Sequence, residues 1–177
     1  MHLTRLNRHQ GYFVVRSGHP LLASRGVPTL KNILQFPGVM TSRVTIPALK
    51  QFLASASRDR TDHAIAKSFP AIACESVAMM KMIVAETDAV GLLPLNTIMA
   101  EVRAGELVVL SLVSPFLKVD FGIIRLAHRS LSPLGETFVR LQLEADAEVL
   151  EFEEENAPKV IAGRNPTRSR VRSALNA

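Results

Sequence analysis

Short apolar runs alternate with amphipathic segments in the middle of the chain, and this alternation constrains the fold more than any other feature. Residues 71–74, 90–93 and 107–112 are apolar runs that predict short strands, the first of them buried. Between them, apolar residues recur at spacings of three and four, which predicts two helices. Strands that alternate with helices indicate an α/β fold with much parallel pairing.

Polar residues and glycine mark the ends of these two helices. Ser76 is predicted to cap the first one, whose inward face would be Val77, Met80 and Val84. Gly105 stands where a left-handed C-cap is favoured and is predicted to close the second.

Further elements are predicted on both sides of this region. Strands are expected at 11–17, 39–40 and 121–126, and a polar loop at 57–63. Proline is favoured at the first helical position, so helices are expected to begin at Pro28, Pro47 and Pro133. The apolar face of the first would be Leu30, Ile33 and Leu34, and the core-facing stripe of the last would be Leu134, Phe138 and Leu141.

The composition favours one packed domain. Hydrophobic residues make up 47% of 177 residues, and a single cysteine excludes an internal disulfide framework. We find no apolar run near the roughly 18–20 residues of a membrane span and no secretion signal, so we expect a cytoplasmic protein without a membrane partner. The net charge is +5, but Lys and Arg are scattered, which is typical of a solvated surface rather than a nucleic-acid footprint.

The sequence contains no catalytic or phosphate-binding motif, and we predict no enzyme activity, cofactor or metal site. Cys74 lies in an apolar run, where a buried, inert thiol is expected. None of the five histidines has a ligand partner at metal-site spacing, and His19 is expected to have a structural role in a turn.

Two features leave a structural and a functional interpretation open. Ser76 follows a strand and begins a helix, so its hydroxyl and the helical N–H groups either cap the helix alone or also bind an anion. The methionines at 79, 80 and 82 either fill a core or line an adaptable ligand surface.

Six motifs, taken in order, resemble the effector-binding region of LysR-type transcriptional regulators. They are FVVRSGHPL (13–21), PGV (37–39), ESVAMMKMIVA (75–85), VGLLP (90–94), AGELV (104–108) and RSLSPLGETF (129–138). One position departs from the pattern, because the family's glycine turn is ETDA (86–89) here, a polar turn that Asp88 is expected to cap.

The resemblance implies a fold like that of type 2 periplasmic binding proteins, in which paired crossover strands join two lobes. Residues 1–146 would be a truncated effector-binding domain, with crossover strands at about 11–17 and 121–127 and a nearly complete second lobe at about 28–117. A helix over 132–146 would return to the first lobe, of which only part is expected. The charged residues 147–177 are expected to form a flexible tail, with a binding arm as the alternative.

The implied function is that of the effector-binding portion of a LysR-type regulator, which binds a small, anionic metabolite between its lobes. The expected ligand-binding residues are Thr41, Ser42, Arg43, Ser76 and Val77, with Arg43 as a carboxylate fork or, alternatively, a surface charge. DNA would be contacted only through a winged helix-turn-helix domain, which this sequence lacks. The alternatives are a stand-alone solute-binding module and an oligomerisation module without DNA binding.

The same resemblance predicts self-association. The stripe on the helix after Pro133 would normally pack on first-lobe strands, so we expect an exposed apolar patch and a homodimer or a larger oligomer.

Overall fold

A computed structural model of the chain describes residues 1–23, 26–41, 69–114 and 117–161. They form a six-stranded mixed sheet with helices on both faces, in an α/β architecture. The strands are β1 (His2–Arg16), β2 (Gly38–Met40), β3 (Ile72–Ala73), β4 (Val90–Pro94), β5 (Leu107–Val109) and β6 (Lys118–Arg125). The helices are α1 (Leu30–Ile33), α2 (Val77–Glu86), α3 (Leu95–Ala104) and α4 (Pro133–Ile161), with a 3₁₀ turn at Pro20–Leu22.

The sheet has the order β3-β2-β4-β1-β5, and β6 also pairs with β1. Strand β2 is parallel to β3 and β4, whereas β1 is antiparallel to β4, β5 and β6. The predicted parallel pairing is therefore confined to three strands.

Strand β1 is longer than predicted because its N-terminal half pairs with β6, with register partners from His2↔Arg125 to Gln10↔Lys118. The expected crossover stretch 11–17 instead pairs with β4 and β5. The first half was missed because polar side chains interrupt its apolar pattern.

Alternating residues of β1 build two cores. Phe13 and Val15 pack with the buried face of α1 on one side of the sheet. Tyr12 and Val14 pack with α2, α3 and the end of α4 on the other. This alternation follows from the period of two in a strand.

Helix α1 begins after the capping residue Thr29, so Pro28 lies just before the helix and not at its first position. Leu30, Ile33 and Leu34 are buried as predicted. The helix expected from Pro47 and the loop at 57–63 lie outside the described residues.

Helix α4 corrects two expectations. It continues through the acidic run to Ile161, so a flexible tail does not begin at residue 147. Its first half leaves Leu134, Phe138 and Leu141 79%, 58% and 52% exposed, so the stripe does not face the core formed by the described residues. It is instead the exposed apolar patch that we expected.

Candidate functional site

Three parallel strands end at one edge of the sheet, and this edge brings two predicted site segments together. The register pairs Val39 with Ile72 and Met40 with Ala73. Beyond the last pair, the backbone N–H of Cys74 donates to the carbonyl of Met40 at 3.0 Å. Thr41, which follows Met40, therefore lies beside the segment that leads into α2.

Helix α2 begins at this edge. The Ser76 Oγ accepts a hydrogen bond from the Met79 N–H at 3.3 Å, which confirms the predicted N-cap. Ser76 is exposed, and Val77 occupies the first helical position, where an N–H has no partner within the helix. The partial positive charge of a helix N-terminus favours an anion at such a position.

Two residues at this edge differ from expectation. Val77 is 36% exposed and not part of the inward face; it is the first residue of α2, directly after the capping Ser76. Met80 and Val84 are fully buried as predicted. Cys74 is half-buried rather than buried, and its thiol donates to the Ser76 carbonyl at 3.6 Å.

The structure thus brings Thr41, Ser76 and Val77 to one edge of the sheet. Ser42 and Arg43 lie outside the described residues. Glu75, an exposed residue between Cys74 and Ser76, was not predicted and adds a carboxylate to the same edge.

The end of β1 is tied to the turn that follows α2. His19 is 1% exposed, its Nδ1 accepts from the Leu21 N–H and its Nε2 donates to the Asp88 carbonyl, both at 3.1 Å. The structural role predicted for His19 is confirmed. Asp88 does not cap the turn, because its carboxylate pairs with Arg16 at 2.7 Å and the Thr87 hydroxyl accepts from the Ala89 N–H instead.

A groove that the sequence did not predict lies elsewhere, on the ribbon formed by β1 and β6. Its volume is about 550 Å³, and it is lined by Leu3, Arg5, Leu6, Arg8, Asp120, Phe121, Gly122 and Ile124. Its lining combines apolar and charged side chains, and Arg8 pairs with Asp120 at 2.7 Å.

Across the described ranges, no three His, Cys, Asp or Glu side chains lie together so as to hold a metal ion. None of the helices in these ranges combines the length and the apolar character needed to cross a membrane.

A model of the family described as the LysR substrate binding domain matches residues 1–147. The chain belongs to this family. The match confirms the resemblance inferred from the six motifs.

Among curated proteins, the chain is 29% identical over 152 residues to the SDS degradation transcriptional activation protein of Pseudomonas sp. (strain ATCC 19151). The match covers 83% of this chain and 46% of that protein, so the chain spans less than half the length of this relative.

Solved structures confirm the predicted fold class. A transcriptional regulator from Vibrio parahaemolyticus superposes with a TM-score of 0.62 at 18% identity, over 85% of this chain and 66% of that one. The regulatory domain of Synechocystis PCC6803 CcmR, solved in complex with 2-PG, superposes with a TM-score of 0.58 at 17% identity, over 82% of this chain and 66% of that one. The AmpR effector binding domain from Citrobacter freundii superposes with a TM-score of 0.53 at 18% identity, over 83% of this chain and 68% of that one. The division of this chain into a second lobe at 28–117 and part of a first stays a prediction.

Proposed function

We propose that this chain is the effector-sensing portion of a LysR-type transcription regulator and has no catalytic activity of its own. The observation that carries the proposal is the family match over residues 1–147. The similarity to the SDS degradation transcriptional activation protein supports the regulatory assignment. In the proposed regulator, DNA contact belongs to a separate domain, and the site of action is the cytoplasm.

The proposed effector is a small anionic metabolite that binds at the edge formed by β2, β3 and α2. Thr41 and Ser76 would donate hydroxyl hydrogen bonds, and the Val77 N–H would donate from the helix terminus. Ser42 and Arg43 follow Thr41 in sequence, and Arg43 would supply a bidentate guanidinium. The proposal that the effector is a small molecule is supported by the CcmR regulatory domain, which was solved in complex with 2-PG.

A thermal-shift screen against carboxylates, phosphates and sulfates tests this site. A ligand at about 100 times its Kd stabilises the folded state by about 2.7 kcal/mol, which raises the melting temperature of a chain of this size by roughly 5–10 °C. We expect the shift to be largely lost in Ser76→Ala and Arg43→Glu.

Ser132→Ala is the matched control. Ser132 is also an exposed serine at a helix start, where its Oγ accepts from the Gly135 N–H at 3.2 Å, but it lies at the beginning of α4. Both serine variants lose a cap worth about 1 kcal/mol. Unchanged ligand affinity in both Ser76→Ala and Arg43→Glu would remove these residues from the site.

We also propose that the chain self-associates through its exposed apolar surfaces. The support is the stripe of Leu134, Phe138 and Leu141, together with the exposed Leu3 and Ile124 in the groove of the β1–β6 ribbon. Light scattering should show a dimer or a larger species that Phe138→Glu shifts toward monomer. A monomer that binds no hydrophobic dye would contradict self-association. An oligomer for which the thermal-shift screen finds no ligand would favour the alternative function, an oligomerisation module, over an effector-sensing domain.

A further inference from the structure

A histidine of β1 is buried between two carboxylates of α4. The His9 Nδ1 lies 3.1 Å from the Glu153 Oε2, and its Nε2 lies 2.9 Å from the Asp146 Oδ1. The three side chains are only 6–9% exposed. The other Asp146 oxygen accepts from both the backbone and the side-chain N–H of Asn7, each at 2.8 Å. These contacts join the first and the last described elements of the chain.

The geometry of this cluster requires a proton. A neutral imidazole has one N–H donor and one bare nitrogen, yet both ring nitrogens of His9 lie within hydrogen-bond distance of a carboxylate oxygen. Both hydrogen bonds form only when the ring is an imidazolium or when one carboxyl is protonated. When that proton leaves, a nitrogen lone pair faces a carboxylate lone pair in a site with little access to water, which is unfavourable.

The neighbouring groups define the charge around His9. On β6 the Phe121 ring makes an edge contact with the imidazole, at 5.8 Å between centroids. On β1, Tyr12 is buried near Glu153, and its pKa is raised by burial and by the charge of that carboxylate. Arg8 points to the exposed side, where it pairs with Asp120. The Oε1 of Glu153 is buried without a hydrogen-bond partner among the described residues.

The pKa directions give the pH window of the cluster. Burial lowers the pKa of His9, but hydrogen bonds to Asp146 and Glu153 and their negative charges outweigh burial and raise it above 6.5. A raised histidine pKa stabilises the contact fully below pH 6.5, and this stabilisation is lost as the pH rises through the raised value. For Asp146, burial raises the pKa, but hydrogen bonds from His9 and Asn7 and the charge of His9 lower it below 3.8. Its stabilisation is lost only as the pH falls through that lowered value.

We propose that His9, Asp146 and Glu153 form a proton-controlled latch that holds the second half of α4 against β1 and releases it when the cluster loses its proton. The latch lies next to the core that receives Phe152, Ala157, Val160 and Ile161 of α4. Protonation therefore controls how firmly this half of the helix is docked.

Hydrogen exchange of the α4 amides between pH 6 and 9, corrected for intrinsic rates, tests the latch in the full chain. We expect the local opening constant for residues 146–161 to rise by up to about tenfold for each pH unit between 6.5 and the raised pKa, and then to level off. Glu153→Gln should flatten this profile, because the amide can donate to a neutral His9 Nδ1 while Nε2–H donates to Asp146. Glu154→Gln removes the same charge from the exposed neighbouring residue and should keep the dependence of the unmodified chain.

Two results would overturn the proposal. One is an opening constant that does not change with pH in the unmodified chain, and the other is the same pH slope in Glu153→Gln and Glu154→Gln. If Glu153→Gln does not fold, a pH titration of the His9 ring nitrogens in the unmodified chain, followed by ¹⁵N NMR, tests the proposal instead. A midpoint above 6.5, with both ring nitrogens protonated at pH 6.5, supports the latch, and a midpoint at or below 6.5 refutes it.

Discussion

Gly38, the first residue of β2, should not tolerate a side chain, because the ring of Phe69 occupies the space. A Cβ on Gly38 would lie 2.2, 2.5 and 2.7 Å from three carbons of that ring. Carbon atoms that are not bonded prefer about 3.5–4.0 Å, so the ring would have to move by more than about 1 Å. Phe69 is 8% exposed and packs in the core with Met40 and Val90, which restricts such a movement.

Overpacking a filled core costs about 1–3 kcal/mol, and the three close contacts place Gly38→Ala near the upper end, at about 3 kcal/mol. Removing the ring with Phe69→Ala should cost about 3–5 kcal/mol. The double variant relieves the clash, so it should cost about as much as Phe69→Ala alone. The predicted coupling between the two sites is therefore about 3 kcal/mol.

Urea unfolding followed by circular dichroism measures these free energies. Gly135→Ala is the control for the same chemical change, because its Cβ would meet neighbours at 3.4 Å, an ordinary contact, in the first turn of α4. Alanine is the better helix former, so this variant should gain about 0.5–1 kcal/mol. Additive costs of Gly38→Ala and Phe69→Ala, within about 0.5 kcal/mol, would refute the proposed clash.

Three further predictions concern α2 and α3. Met80→Ala should cost about 2–5 kcal/mol in urea unfolding because Met80 is fully buried, whereas Met79→Ala, at a side chain 45% exposed, should change stability by no more than about 0.5 kcal/mol. Gly105→Ala should cost about 1 kcal/mol because of the positive φ of 78° alone, since no atom lies within 4 Å of the added Cβ. A variant as stable as the unmodified chain in unfolding experiments would contradict the left-handed cap. Burial raises the pKa of Glu101, but its hydrogen bond to Lys81 and the charge of Lys81 outweigh burial and lower the pKa below 4.5. Glu101→Gln should therefore destabilise the chain at pH 7. In acid unfolding experiments, this destabilisation should disappear as the pH falls through the lowered pKa.

Elements set by local chemistry could be predicted from the sequence. The Ser76 cap, the glycine that ends α3 and the serine–proline start of α4 depend on hydrogen bonds and backbone angles within a few residues. Such signals are readable because the chain needs no distant partner to satisfy them.

Elements held by distant contacts were missed. The second half of α4 looks like a solvated acidic segment, yet its Glu153 is buried because His9, far away in sequence, supplies the partner. The apolar residues Phe152, Val160 and Ile161 at helical spacings, which pack on the core, are the signal that could have revealed this half of the helix. The start of β1 escaped prediction because polar side chains interrupt its apolar pattern and because its pairing partner, β6, is distant in sequence.

The residues that carry the family resemblance explain why the family could be recognised and the effector could not. His19 joins the end of β1 to the turn after α2, and Gly105 reverses the chain between α3 and β5; both act on the backbone. Residues with such roles serve any ligand equally well, so they identify the fold and carry no information on effector chemistry. In the proposed site, the choice of effector depends on side chains at the strand ends, such as Thr41. We therefore expect substitutions at His19 to lower stability and substitutions at Thr41 to change ligand preference while leaving stability nearly unchanged.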